Sequence, residues 1–297
     1  MTSKLAAEQF PNSHSFARVA ILVSLLLPPG SVWAGQAGGP ARPDDGLVTR
    51  ALAAELKAAQ DTAHPMQYRL RKSTPRLTST KAIVETRDGA VARLVSIDDN
   101  PPSAEDRQKD EARLDGLLAD PSRQQKRKQS EKDDMVRALK VLRALPKAFI
   151  YQDAGPVAGM TANIERYTFI PNPKFSTSDL ELLVLTAMRG ELWIDSAQER
   201  VLRLEGHLEQ EVDFGWGILG RLNKGGWLLI EQANVGDDQW RIVRFKMVMS
   251  GRIFVKTRSF DTTEEETQFA PVPVGMTYQQ AIQLLRSGEG STGTRGK

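Results

Sequence analysis

The order of apolar and polar residues divides this chain into segments of different period. An apolar run interrupted only by Ser24, Val19 to Leu27, comes first. Residues 46–60 then place Leu47, Leu52 and Leu56 at helical spacing, which predicts a short amphipathic helix. From Met66 the period becomes two: Met66, Tyr68 and Leu70 alternate with Gln67, Arg69 and Arg71, the pattern of a half-buried strand. KAIVETRDGAVARLVSI follows, two β-rich runs joined at Asp88-Gly89, a strong hairpin signal. Asn100-Pro101-Pro102 ends it, and Ser103 with Asp106 resembles a capping box. Two helices are predicted there, about 103–118 and 122–145, split at Asp120-Pro121. Met135, Leu139 and Leu142 form the apolar stripe of the second, which stops at Pro146.

Strand patterns return and persist. They cover 148–152, 162–170, 180–187, 191–195, 201–211, 227–235, 239–250 and 252–260, with turns at Arg189-Gly190, Gly236-Asp237-Asp238 and Ser250-Gly251. Pro271-Val272-Pro273 closes the series, 277–285 is a last short helix, and the tail at 287–297 is polar and Gly-rich, expected to be disordered. A sheet of this many strands accumulates twist and cannot stay flat. The predicted fold is α+β, mainly β: a strongly curved antiparallel sheet, an unclosed barrel, with helices covering its concave face. It forms a single domain over 46–286 with a helical insertion at about 103–145.

The first apolar run changes the compartment. Lys4 and Arg18 precede it, Pro28-Pro29-Gly30 breaks it, and Val32-Trp33-Ala34 offers small residues at a cleavage site. That is the layout of a secretory signal peptide over residues 1–34, cleaved after Ala34, with 35–45 a flexible linker and a periplasmic destination. The run is about half the ~20 residues that a membrane-spanning helix needs. The chain has no cysteine, which excludes disulfides and thiolate metal sites, and its formal charge is only +3. No nucleic-acid partner is expected.

Candidate chemistry is sparse. In GELWIDSAQERVLRLEGHL (190–208), the turn Asp195-Ser196-Ala197-Gln198 joins two apolar-rich runs, the second alternating over Leu202, Leu204, Gly206 and Leu208. Trp240 or Val243, with Phe245 and Met247, supplies a matching stripe. Phe214, Trp216 and Ile218 are interleaved with glycines, as a cavity lip touching a ligand or as a tight crossover against the barrel end. These residues, Leu202, Leu204, Leu208, Phe214, Trp216, Ile218, Trp240, Phe245 and Met247, are the expected ligand-binding set if the concavity is open. His207, Glu209 and Glu211 alternate on one strand face, but Arg203 and Glu205 share it, so it reads as solvated and no metal site is expected. No H-E-x-x-H, G-x-S-x-G or P-loop motif occurs, and the Gly215-x-Gly217-x-x-Gly220 spacing lacks a βαβ context. No enzyme and no cofactor are expected. Arg123, Lys126, Arg127 and Lys128 lie in RQQKRK, read either as a solvated helix face peripheral to the core or as a contact for an anionic membrane surface.

The hairpin and the run DFGWGILGRLNKGGWLLIEQ (213–232) resemble periplasmic proteins with the outer-membrane lipoprotein-sorting fold, the LolA/LolB type, over residues 66–285. The resemblance rests on the pattern G-x-L-W-I-D…V-x-R-x-E at Gly190–Glu205 and on the Gly-rich run. It implies an unclosed barrel around helices and a hydrophobic cavity suited to acyl chains. The chain departs from the sorting carriers in its charged helical insertion, and it has no counterpart to the arginine that controls their lid. The expected function is therefore non-catalytic binding of a lipid or lipoprotein acyl chain. The alternative is a cell-envelope scaffold whose concavity is filled by its own side chains.

Overall fold

The computed structural model describes residues 46–160, 163–214, 220–253 and 256–288. The stretches expected to be a signal peptide (1–34) and a linker (35–45), together with Trp216, Ile218 and the tail beyond Gly288, lie outside the described residues. Helix α1 (Gly46–Ala58) precedes strands β1 (Met66–Ser73), β2 (Thr78–Val84) and β3 (Val91–Ile97). Helices α2 (Ala104–Ala119) and α3 (Pro121–Ala148) follow, then β4 (Phe149–Pro156), β5 (Ile164–Pro171), a 3-10 turn (Leu183–Ala187), β6 (Met188–Asp195) and β7 (Arg200–Leu208). The short strands β8 (Val212–Phe214) and β9 (Gly220–Leu222) lead to β10 (Trp227–Asn234), β11 (Trp240–Ile253), β12 (Lys256–Pro271) and α4 (Tyr278–Ser287).

All twelve strands form one antiparallel sheet in the order β3-β2-β1-β12-β11-β10-β7-β6-β5-β4, with β8 and β9 attached to β11. The sheet is not closed, because β3 and β4 are its two free edges, and the chain passes between them through α2 and α3. Inward residues of β5, β6, β7, β10 and β11 make the main core with α1 and the C-terminal half of α3. Helices α2 and α4 depart from the expectation of cover on the concave face alone. They pack on the opposite face of β2 and β3, where Leu114, Leu117, Ala281 and Ile282 meet Ala82, Val84 and Val91.

An edge strand exposes backbone donors and acceptors that invite pairing with another chain. At β3 these groups are taken by charged side chains of the two helices. Arg113 of α2 donates to the Ala92 carbonyl and Asp110 accepts from Leu94 N at 3.1 Å. From α3, Arg127 Nη2 donates to Ala90 O at 3.1 Å and Glu131 accepts from Ala90 N at 3.1 Å. Gln124, 2% exposed, donates to the carbonyls of Asp88 and Gly89 at 2.8 and 3.0 Å. The N-terminal half of α3 is therefore a clamp on the β2–β3 turn, which corrects the reading of RQQKRK as peripheral. Gln124 and Arg127 are structural, and desolvation lowers the Arg127 pKa although Glu131 opposes it. Arg123, Lys126 and Lys128 remain exposed.

Four strand expectations are corrected. Residues 180–187 form turns and the 3-10 helix, which brings Val184 and Leu185 into the core together. Arg189-Gly190 is strand, opposite His207-Gly206. Ser250-Gly251 is also strand, paired with Ser259 and Arg258. Finally, β12 runs on to Pro271 because β1 pairs along its second half, Met66 opposite Pro271. The Asp88-Gly89 hairpin is present with a longer connection, Gly89 having φ +94°.

The outer face carries one row of directly opposed residues across seven adjacent strands: Arg71, Glu265, Arg244, Glu231, Arg203, Trp193 and Arg166. Its charges alternate and neutralise one another: Arg71–Glu265 3.5 Å, Arg244–Glu265 3.5 Å, Arg244–Glu231 3.1 Å and Arg203–Glu231 2.6 Å. The Arg203 guanidinium then lies over the Trp193 ring at 5.1 Å. Opposite-charge cross-strand pairs each contribute roughly 0.2–1 kcal/mol.

Candidate functional site

The inner face is divided. On the β12-β1-β2 side it is mixed: Ser79, Lys81, Glu264 and Glu266 are buried there, with Lys72 Nζ 3.5 Å from Glu264, beside a small apolar cluster of Tyr68, Ile83 and Ala92. On the side of β5, β6, β7, β10 and β11 it is apolar, and there it encloses a cavity of about 40 Å3. Ala138, Val141, Leu142 and Leu145 of α3 form one wall. Phe149, Phe169, Met188, Leu204, Leu228, Ile230 and Met249 form the sheet side, with Leu222 of β9, and Val184 and Leu185 of the 3-10 turn close one end. Every one of the fourteen lining residues is apolar.

Local chemistry explains the shape. Phe149 and Phe169 pack at 4.6 Å between ring centroids. Tyr151 donates its hydroxyl to Leu145 O at 3.2 Å, satisfying a carbonyl near the end of α3; burial pushes its phenol pKa up, so it stays protonated. Gly190 and Gly206 are cross-strand partners. The absence of a side chain at Gly206 lets Met188 fold over it, with Met188 Sδ 2.7 Å from where a Gly206 Cβ would stand. Met188 reaches the cavity from there.

Two of the nine expected ligand-binding residues, Trp216 and Ile218, lie outside the described residues. Of the remaining seven only Leu204 lines the cavity. Leu208, Phe214, Phe245 and Met247 belong to the same core but are packed by other side chains. Leu202 is a correction. The β6–β7 register shifts there, with Trp193 opposite Arg203 and Ile194 opposite Val201, so Leu202 is the extra residue of a bulge and Val201 takes the core position. A second shift between Glu231 and Gln232 puts Ile242, not Val243, in the core. Trp240 is also corrected: it sits beyond that core, under Arg200 at 5.3 Å. The helix residues of the wall were missed as cavity lining because a stripe at helical spacing reads as core.

Beside the first bulge lies a buried ion pair. Glu55 of α1, with no exposed surface, accepts from Arg200 Nε and Nη2 at 2.8 and 3.0 Å and from Val201 N at 3.0 Å. This fastens α1 over the end of the apolar half.

The other end is fastened differently. The segment from Asn172 to Leu182 crosses from β5 to the 3-10 turn, and Lys140 of α3 holds it with Nζ 2.8 Å from both Asp179 Oδ2 and Glu181 Oε2. Desolvation works against the Lys140 charge, but the two carboxylates outweigh it and raise its pKa. A raised folded-state pKa contributes its stabilisation fully below the ordinary lysine value of about 10.4. It is lost as pH rises through the folded value, so this fastening persists across neutral pH. Lys140→Met is expected to accelerate amide hydrogen exchange at Val184, Leu185 and Met188, with exchange in β10 and β11 unchanged. Unchanged exchange at those three amides would show that the segment is held by Leu180, Leu182 and Leu183 alone.

His207, Glu209 and Glu211 are not brought together. His207 Nε2 is 3.3 Å from Glu205, Glu209 is paired with Arg189 and Glu211 with Arg221. Burial raises the Glu205 carboxyl, but hydrogen bonds from Arg203, Trp227 and His207 outweigh it and hold it below its ordinary value. No group of three or more potential metal-ligating side chains occurs among the described residues. Compared with family models, curated proteins and solved structures, the chain has no match in any of the three.

Proposed function

We propose that the protein binds an apolar chain, the acyl group of a lipid or lipoprotein, between α3 and the apolar half of the sheet, without catalysis and in the periplasm. The observation that carries this reading is the cavity wall, which offers fourteen apolar residues and no polar side chain. The likeness of the Gly190–Leu208 hairpin to the lipoprotein-sorting fold and the leader pattern of residues 1–34 support it.

The volume sets a condition. An engineered apolar cavity of about 150 Å3 binds benzene, whereas this one is about 40 Å3. On this reading the cavity is closed, and uptake requires α3 or the Asn172–Ala187 segment to move outward. Each methylene buried contributes about 0.8 kcal/mol, so a chain of about ten contributes ~8 kcal/mol to offset that opening. The buried charges of Lys81 and Glu264 bound the site, because an acyl chain has no polar group to offer them.

A fluorescent fatty acid should bind the protein saturably, and Leu204→Trp should abolish binding while the unfolding midpoint stays close to the parent's. The small volume favours a second reading, the scaffold whose interior is self-filled. That reading expects no saturable binding by the parent, and an overpacking cost of about 1–3 kcal/mol for Leu204→Trp.

A further inference from the structure

Helix α3 has two unlike faces. Ala138, Val141, Leu142 and Leu145 line the cavity on one. On the opposite side Lys126, Lys128, Lys132, Arg143 and Lys147 are exposed, and no carboxylate among the described residues lies within ion-pair distance of any of them. Asp133 is the one acid on that side of the helix, and it accepts from Gln129 at 2.7 Å. The contrast with the outer face of the sheet is physical: there each arginine of the row is matched by a glutamate or a ring, whereas here five cations stand unmatched over about 30 Å of helix, at 1.5 Å per residue. Unmatched like charges on one face repel one another unless a counter-surface neutralises them.

We propose that this face of α3 docks on an anionic lipid bilayer. The cations are spread along about 30 Å of a single helix, which suits a flat, continuous negative surface better than an acidic peptide that must be gripped. Arg127 takes no part, since it is spent on the Ala90 carbonyl, and Arg123 is turned toward Asp120 at 3.4 Å. The idea deepens the acyl-binding reading, because it sets the cavity wall directly behind the docked face, but the docking itself depends on charge alone.

The test is co-sedimentation of the full chain with vesicles. Vesicles of phosphatidylcholine with one third phosphatidylglycerol should bind the protein, and phosphatidylcholine alone should not. Replacing Lys126, Lys128, Lys132, Arg143 and Lys147 together by glutamine should weaken binding by 100-fold or more, at about fivefold per cation removed, in protein with an unchanged unfolding transition. Should that variant fold poorly, the parent answers alone: its binding must fall steeply as salt rises toward 1 M, where screening acts within about 3 Å. Absence of binding to the anionic vesicles, binding that survives 1 M salt, or equal binding by the folded variant overturns the proposal. Tighter binding to a DNA duplex than to vesicles, lost in the same variant, overturns it in favour of a nucleic-acid surface. The fatty-acid titration is done without vesicles, so failure of the cavity reading is seen separately from failure of docking.

Discussion

Glu55→Ala is expected to destabilise the protein by about 3–5 kcal/mol, the usual cost of removing one partner from a buried ion pair. The reason is what remains after truncation. Arg200, whose side chain is 13% exposed, keeps its charge with no counter-ion, and Val201 N loses its acceptor at 3.0 Å. A buried donor without a partner costs about 1–3 kcal/mol by itself. Urea unfolding should show a lower midpoint with the slope preserved. The neighbouring pair makes the control: Arg50 and Glu199 are 2.6 Å apart, yet their side chains are 56% and 42% exposed. Arg50→Ala should cost no more than about 1 kcal/mol, because surface pairs contribute little. Equal costs for the two variants would mean that α1 is not anchored through Glu55.

The second large effect is expected at Gly190. A Cβ there would stand 1.8 Å from the Glu205 carbonyl oxygen, and that obstacle is backbone held in the β6–β7 ladder. Gly190→Ala can be accommodated only by separating the strands, so a loss of about 3 kcal/mol or more is expected, at the upper end of overpacking costs. Its cross-strand partner gives the opposite case. At Gly206 the nearest atoms belong to the Met188 side chain, which is unbranched and able to swing away. Gly206→Ala should therefore cost about 1 kcal/mol, and it should push Met188 further into the cavity. Thermal unfolding of the two variants side by side decides the point; a similar small loss for both would show that β6 and β7 can part locally at little cost.

These sites show which features the residue pattern carries and which it does not. The alternations at Met66–Leu70 and Val201–Leu208, and the helical spacing at 46–60 and 122–145, place elements correctly because period and burial are tied through side-chain direction. The two bulges break that tie. Alternation assigned Leu202, and Trp240 or Val243, to the apolar face, but one extra residue in each strand reverses the phase and substitutes Val201 and Ile242. Nothing in the composition of either strand marks the insertion. The buried roles of Gln124, Arg127 and Glu55 were hidden for a related reason: a polar side chain is buried when a distant backbone group needs it, and those groups lie on the Gly89–Ala90 turn and at Val201. Pairing of β1 with β12 was likewise out of reach, since strand patterns say nothing about which distant strand is the neighbour.

That last pairing has a kinetic consequence. Met66 lies opposite Pro271, so the first three strands gain their only link to the rest of the sheet from the final one. Chains dominated by such non-local pairings fold slowly, in milliseconds to seconds rather than microseconds, since loop closure must precede the contacts that reward it. Until β12 is available, the β1–β3 meander has an unpaired inner edge at β1. A chain shortened before β12 would lose more than its last element: it would leave two partial sheets joined by a pair of helices, each with an open edge.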